Sequence, residues 1–188
     1  MGRTFILYSR ATTSPNFSLQ SLYSYGRLDL VCRCVLSALW LSEKIRQDTQ
    51  IIVSLNGGPN PPVAIRFDGT LSNVEPSEQS IAFLIKKALF KAKDGDWRSI
   101  QKGLAVSKKP FQELIRESRN VFVLDPSGKQ IEAQHFESPT FVLGDNKGLP
   151  SGELKFALRK GEAISLGKKV YLASSVISVV NWILDKNA

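Results

Sequence analysis

Two short apolar runs that each break into a glycine loop, both inside residues 139–184, limit what this chain can fold into more than any other feature. Phe141, Val142 and Leu143 run into Gly144, Asp145, Asn146, Lys147, Gly148, Leu149 and Pro150. Ala163, Ile164 and Ser165 run into Leu166-Gly167, and a long apolar helix follows. Short apolar runs bounded by turn residues read as buried strands. Where the carboxyl ends of such strands lie side by side, open α/β sheets form the crevice that holds a small ligand. Glycine at these ends lets the backbone approach closely, so that peptide N–H and C=O groups do the recognising. Two ordinary strand-to-helix turns would give the same pattern, and the residues alone leave both readings open.

The remaining chain continues the α/β pattern. Strands are predicted over Thr4–Ser9, Ile51–Leu55, Val63–Phe67 and Val121–Leu124, the last closed by a tight turn at Asp125–Gly128. Leu28–Gln47 reads as a helix because Leu28, Val31, Val35 and Leu39 recur at intervals of three and four, widened by Leu36 and Trp40. A second helix spans Ser77–Lys93 with Ile81, Leu84, Ile85, Ala88 and Leu89 on one face, and a short one spans Phe111–Glu117. Residues 10–18 and the run Asn56-Gly-Gly-Pro-Asn-Pro-Pro62 read as loops. From residue 120 the order is strand, strand, helix, strand, helix. A mostly parallel sheet covered by helices, folded as one domain over residues 1–188, accounts for this order. Leu124 then joins Gly144 and Leu166-Gly167 as a third strand end at the same crevice.

Charge narrows the partners. The 188 residues carry a formal charge of +8, which favours a polyanion, and nucleic acid over a membrane surface. Lys86 to Arg119 holds ten lysines and arginines against Asp94, Asp96, Glu113 and Glu117, with Trp97 and Phe111 interleaved. Lys86, Lys87 and Lys91, together with Asn60 of the proline loop, are the candidate RNA contacts. A solvated amphipathic helix is the plainer alternative.

With His135 the single histidine and Cys32 and Cys34 the two cysteines, histidine-based catalytic arrangements and four-ligand zinc sites have almost nothing to work with. Neither a GxxxxGK[ST] nor a GxGxxG loop occurs. No apolar run approaches the roughly 20 residues of a membrane span. The apolar run near the N-terminus is about four residues, too short for a secretory leader. Two cysteines two residues apart on a helix face different ways, so a reducing, cytoplasmic location is expected.

Tyr25-Gly26-Arg27-Leu28-Asp29-Leu30-Val31-Cys32-Arg33 is the second dense patch. Asp29 at a helix start is favoured by the helix dipole, and Arg33 is its i, i+4 partner. A functional reading sits beside this one. Asp29 would orient or deprotonate a substrate, and Arg27 and Arg33 would hold phosphate or base oxygens.

GRLDLVCRC, NGGPNPP, FVLGDNKG and the ending ISLG…LASSVISVVNWILD together resemble the archaeal tRNA pseudouridine N1-methyltransferases of the SPOUT superfamily, over essentially the whole chain. The resemblance implies a homodimer with a C-terminal trefoil knot, residues 1–119 serving the substrate and residues 120–188 the cofactor. It implies S-adenosyl-L-methionine (SAM) bound by Leu124, Gly144, Asp145, Leu166, Gly167, Lys168, Lys169, Val170, Tyr171 and Val176. It implies catalysis by Asp29, Arg27 and Arg33 without a metal, on N1 of pseudouridine 54 in the T loop of tRNA. Valine stands at position 176, where some relatives carry cysteine, so a thiol has no role there. Another SPOUT activity, on ribosomal RNA or a ribose hydroxyl, and a non-catalytic RNA-binding module are the alternatives.

Overall fold

A computed structural model describes residues 2–186. Among them eight strands form one sheet: β1 (Arg3–Ser9), β2 (Thr49–Leu55), β3 (Val63–Asp68), β4 (Arg98–Gln101), β5 (Leu104–Ser107), β6 (Val121–Gln130), β7 (Thr140–Gly144) and β8 (Glu162–Ser165). Their order is β4-β5-β3-β2-β1-β7-β6-β8. The five strands from β2 to β8 run parallel, and β3, β5 and β4 extend the sheet antiparallel. The parallel half matches expectation, and because its strands point the same way their carboxyl ends share one edge.

Both sheet faces are covered, which is why the central strands are apolar on alternate residues in both directions. Phe5 and Leu7 of β1 face the larger core, which they share with α1 (Leu28–Leu39), α2 (Glu78–Lys91) and α5 (Ala173–Lys186). Ile6 faces the smaller core, with Phe111, Leu114 and Ile115 of α3 (Phe111–Glu117) and Ala157 of α4 (Ser151–Leu158). The Ser77 hydroxyl caps α2 by accepting from Ser80 N at 3.1 Å.

Two expected boundaries differ, and one stretch holds strands that the sequence did not predict. α1 stops at Leu39, eight residues before Gln47, although Leu41 to Ile45 is compatible with helix. Tertiary contacts override that propensity: Arg46 N donates to Leu39 O at 2.7 Å, turning the chain back, and the Arg46 side chain reaches Asp185 at 2.6 Å. The basic stretch after α2 contains a hairpin, β4–β5, turning at Lys102-Gly103. β6 does not end at Leu124. It continues through an irregularity to Gln130, so β8 pairs with it twice, Ile164 matching both Leu124 and Lys129.

α5 is fastened along its length. Buried Asn181 donates to the carbonyls of Ser37 and Ala38 at 2.9 and 3.2 Å and accepts from Arg3 Nη1 at 3.1 Å. Arg3 also donates to Asp185 at 2.9 Å, so the start of the first strand holds the end of the last helix.

Candidate active site

The carboxyl ends of β7 and β8, with Leu124–Pro126 at the irregularity within β6, open into a cleft of about 620 Å³, within the range of small-molecule sites. Apolar side chains form much of its wall: Leu124, Leu143, Leu149, Ile164, Leu166 and Val176. Polar groups are few, among them Asp125, Lys147 and Lys169. Gly144 sets the loop geometry, because a Cβ there would lie 2.2 Å from the carbonyl carbon of Gly148. Ser165 Oγ accepts from Gly167 N at 3.0 Å and lies 3.2 Å from Pro126 O, joining two of the loops.

Asp145 is buried in the lining of the cleft and its carboxylate is fully engaged. It accepts from Arg10 N at 2.8 Å, Arg10 Nη1 at 2.6 Å and Lys147 N at 3.0 Å. Arg10 Nη1 also donates to Gly148 O at 3.0 Å. The segment that begins at Arg10 follows β1 and runs between three other loops. Thr12 N donates to Tyr25 O at 3.2 Å, and Thr13 Oγ1 donates to Gly57 O at 2.7 Å. Gly26 is indispensable to this packing, since a Cβ would stand 2.5 Å from Arg10 O and its φ is +68°.

Beyond that segment lies the charged cluster. Arg27 caps α1 in a left-handed conformation, φ 65°. Its Nε and Nη2 each donate to one oxygen of Asp29 at 3.0 Å, a bidentate pair. Arg33 Nη2 donates to Asp29 Oδ2 at 2.9 Å, and Arg33 Nη1 lies 3.5 Å from Glu78 of α2. The Arg27 guanidinium sits 4.6 Å over the ring of exposed Tyr23. Burial pushes the Asp29 carboxyl up, but the hydrogen bonds and charge of Arg27, with Arg33, outweigh it and hold the group below the usual carboxylate range. The Asp29 hydrogen bonds raise Arg27 further above its already high value, and the Asp145 charge adds to that. Arg10, bonded to Asp145 and packed by its backbone against Gly26, stands between the cleft and the cluster.

Residues 2–188 match the family described as "Putative SAM-dependent RNA methyltransferase". The chain belongs to this family. Among its relatives is the tRNA (pseudouridine(54)-N(1))-methyltransferase of Methanocaldococcus jannaschii, 37% identical over 198 residues that cover 98% of this chain and 97% of the relative. The Methanococcus maripaludis protein of the same name is 41% identical over 197 residues, 99% of each chain. Among solved structures, Archaeoglobus fulgidus Nep1 bound to S-adenosylhomocysteine superposes with a TM-score of 0.68 at 15% identity, covering 99% of this chain and 98% of that one, and shares the fold.

Within this methyltransferase-family fold, Leu124, Gly144, Asp145, Leu166, Gly167, Lys169, Val170, Tyr171 and Val176 line the cleft, and Lys168 is exposed beside it. The cleft fits a nucleoside-bearing cofactor such as SAM: apolar walls suit a base, and backbone groups exposed at the glycine turns suit its polar edge. Arg27, Asp29 and Arg33 come together as one cluster. Of the three lysines, Lys86 Nζ donates to Phe17 O at 2.6 Å, Lys87 Nζ donates to Gln101 at 2.7 Å, and Lys91 is exposed. Asn60 is exposed, its N–H bound to Thr13 Oγ1 at 2.8 Å and its carbonyl to Lys108 at 2.5 Å. Sequence reasoning missed Arg10. Its signal was a charged residue directly after the first strand, where a parallel sheet places its ligand-facing loops.

Proposed function

We propose that this protein transfers a methyl group from SAM to N1 of pseudouridine 54 in the T loop of tRNA. The reading is carried by near-full-length likeness to relatives that bear that activity in their names. It is supported by a cleft of suitable chemistry beside a cluster of arginines.

When bound, the cofactor supplies an electrophilic methyl group on a sulfonium. The chain's residues then have two tasks: to present N1, and to manage the charge that appears as its proton leaves. Asp29 is a poor base at neutral pH, because its carboxyl is held low and both oxygens are engaged by arginine. Its task is therefore orientation. It fixes the Arg27 fork, and Arg27 with Arg33 stabilises negative charge developing on the base oxygens while water takes the proton. Leu124, Leu143, Ile164, Leu166 and Val176 exclude water around the methyl donor. Lys86, Lys87, Lys91 and Asn60 contact the RNA backbone.

A homodimer with a C-terminal trefoil knot completes the reading. Exposed Val170, Tyr171, Leu172, Val179 and Trp182 support the dimer as an apolar surface at the cleft and along α5. The double pairing of β8 with β6 supports a chain passing through a loop. Residues 1–119 then select the substrate and residues 120–188 hold the cofactor. Cys32 and Cys34, unpaired and buried, support a place in the reducing cytoplasm. The test is nucleoside mass spectrometry of pseudouridine-54 tRNA incubated with labelled SAM. Label in N1-methylpseudouridine is expected, and label elsewhere or nowhere overturns the proposal.

A further inference from the structure

We infer that the outward face of α2 is a stacking surface for unpaired bases of the RNA substrate, with Phe83 and Phe90 as its platforms. The inference rests on the function proposed above and extends it from phosphates to bases. α2 buries Ile81, Leu84, Ile85, Ala88 and Leu89, as an amphipathic helix should. Its opposite side is not simply polar: Phe83 and Phe90 are 57% and 65% exposed. Seven residues apart, the rings stand on one side of the helix, about 10 Å from each other along the axis. Lys86 and Lys87 lie between them and Lys91 just beyond, while Glu78 is the one acidic residue of the helix.

Charge selects the occupant. Two exposed rings alone would suit any apolar partner. Rings interleaved with lysines suit a polyanion that also has flat apolar faces, which is the chemistry of single-stranded RNA. Pairing this face with its own copy would set lysines against lysines, an unfavourable juxtaposition.

The surface is also continuous with the charged cluster. Glu78 at the start of α2 lies 3.5 Å from Arg33, and Lys86 reaches Phe17 O at 2.6 Å. The Phe17 ring packs 5.9 Å from Tyr25, which directly precedes Gly26-Arg27. Nucleotides flanking the target base can therefore stack on α2 while the target itself reaches Arg27.

The test compares wild-type protein with the double variant Phe83→Ala/Phe90→Ala, using a pseudouridine-containing T-arm stem-loop and fluorescence anisotropy at several salt concentrations. Loss of two stacks should weaken binding at least ~tenfold and raise KM for RNA to match, with kcat and SAM affinity little changed. The salt slope should stay parallel to wild type because no phosphate contact is lost, whereas Lys87→Glu/Lys91→Glu should flatten it. Phe83→Tyr/Phe90→Tyr should restore binding. Unchanged affinity in the alanine variant overturns the inference, as does failure of the tyrosine pair to rescue. So does light scattering that shows the alanine variant losing its partner copy, which would make α2 an interface between protomers. A wild-type protein that binds SAM but neither binds nor methylates this RNA overturns the proposed function itself.

Discussion

The cleft is walled by leucine, isoleucine, valine and glycine backbone, and its buried carboxylate Asp145 is tied to Arg10. On the other side of the segment after β1, the second region consists of three charged side chains at the start of α1. Recognition in the cleft depends on volume and backbone approach, so it tolerates changes of charge better than changes of size. The cluster depends on the fork of an arginine held by a carboxylate, so it tolerates neither loss of the charge nor loss of the fork's geometry. Arg10 links the two, and the contrast can be tested at each point.

Gly144→Ala should have the largest effect on cofactor binding. Its Cβ would collide with backbone at 2.2 Å, and SAM affinity should fall ~100-fold, equivalent to about 2.7 kcal/mol. Titration calorimetry that shows wild-type affinity would refute the volume argument. Arg27→Ala should lower kcat ~10²–10³-fold and leave SAM binding intact. Arg27→Lys should rescue little, because lysine cannot reproduce the bidentate geometry. A variant in which cofactor affinity falls along with kcat would erase the distinction between the regions.

Arg10→Ala and Asp145→Asn belong to both regions. A double-mutant cycle read in SAM affinity should give a coupling of about 2 kcal/mol, and strict additivity would mean that the link is not felt at the cleft. The smallest effect expected is on stability in acid. Burial raises the Asp185 carboxyl, but Arg46 and Arg3 lower it more, leaving it below its ordinary value. A carboxyl depressed in the folded state contributes fully above pH about 4, and the contribution disappears as pH falls through the folded value. Asp185→Asn should remove about 1 kcal/mol at pH 7 and flatten the fall in melting temperature below pH 4.

The two regions were also unequally legible in the sequence. The cleft was visible because three apolar runs ended in turn residues, a local signal that a parallel sheet turns into a shared edge. Asp29 and Arg33 were visible as an i, i+4 pair, but the Arg27 fork was not: it requires a left-handed residue at the helix cap, and arginine does not advertise that conformation. Arg10 stayed hidden because its partner lies 135 residues away. The β4–β5 hairpin was masked by its own lysines and arginines, which read as surface. The end of α1 was misplaced because Arg46 is needed elsewhere, at Asp185. Local periodicity reports which face is buried. It does not report a contact whose purpose lies at the other end of the chain.

α5 has a further consequence. Ala173 and Val176 stand in the wall of the cleft, and Asp185 of the same helix is held by Arg3 at the opposite edge of the sheet. Nine residues of helix, about 13 Å, separate the wall from that fastening. A tightening of the cleft should therefore be readable from behind: amide hydrogens of Asn181–Asp185 should exchange more slowly when SAM is added, although none of those residues lines the cleft. The far end of the helix would serve as a gauge of occupancy, and a dye placed there could follow the enzyme loading and unloading without touching either substrate.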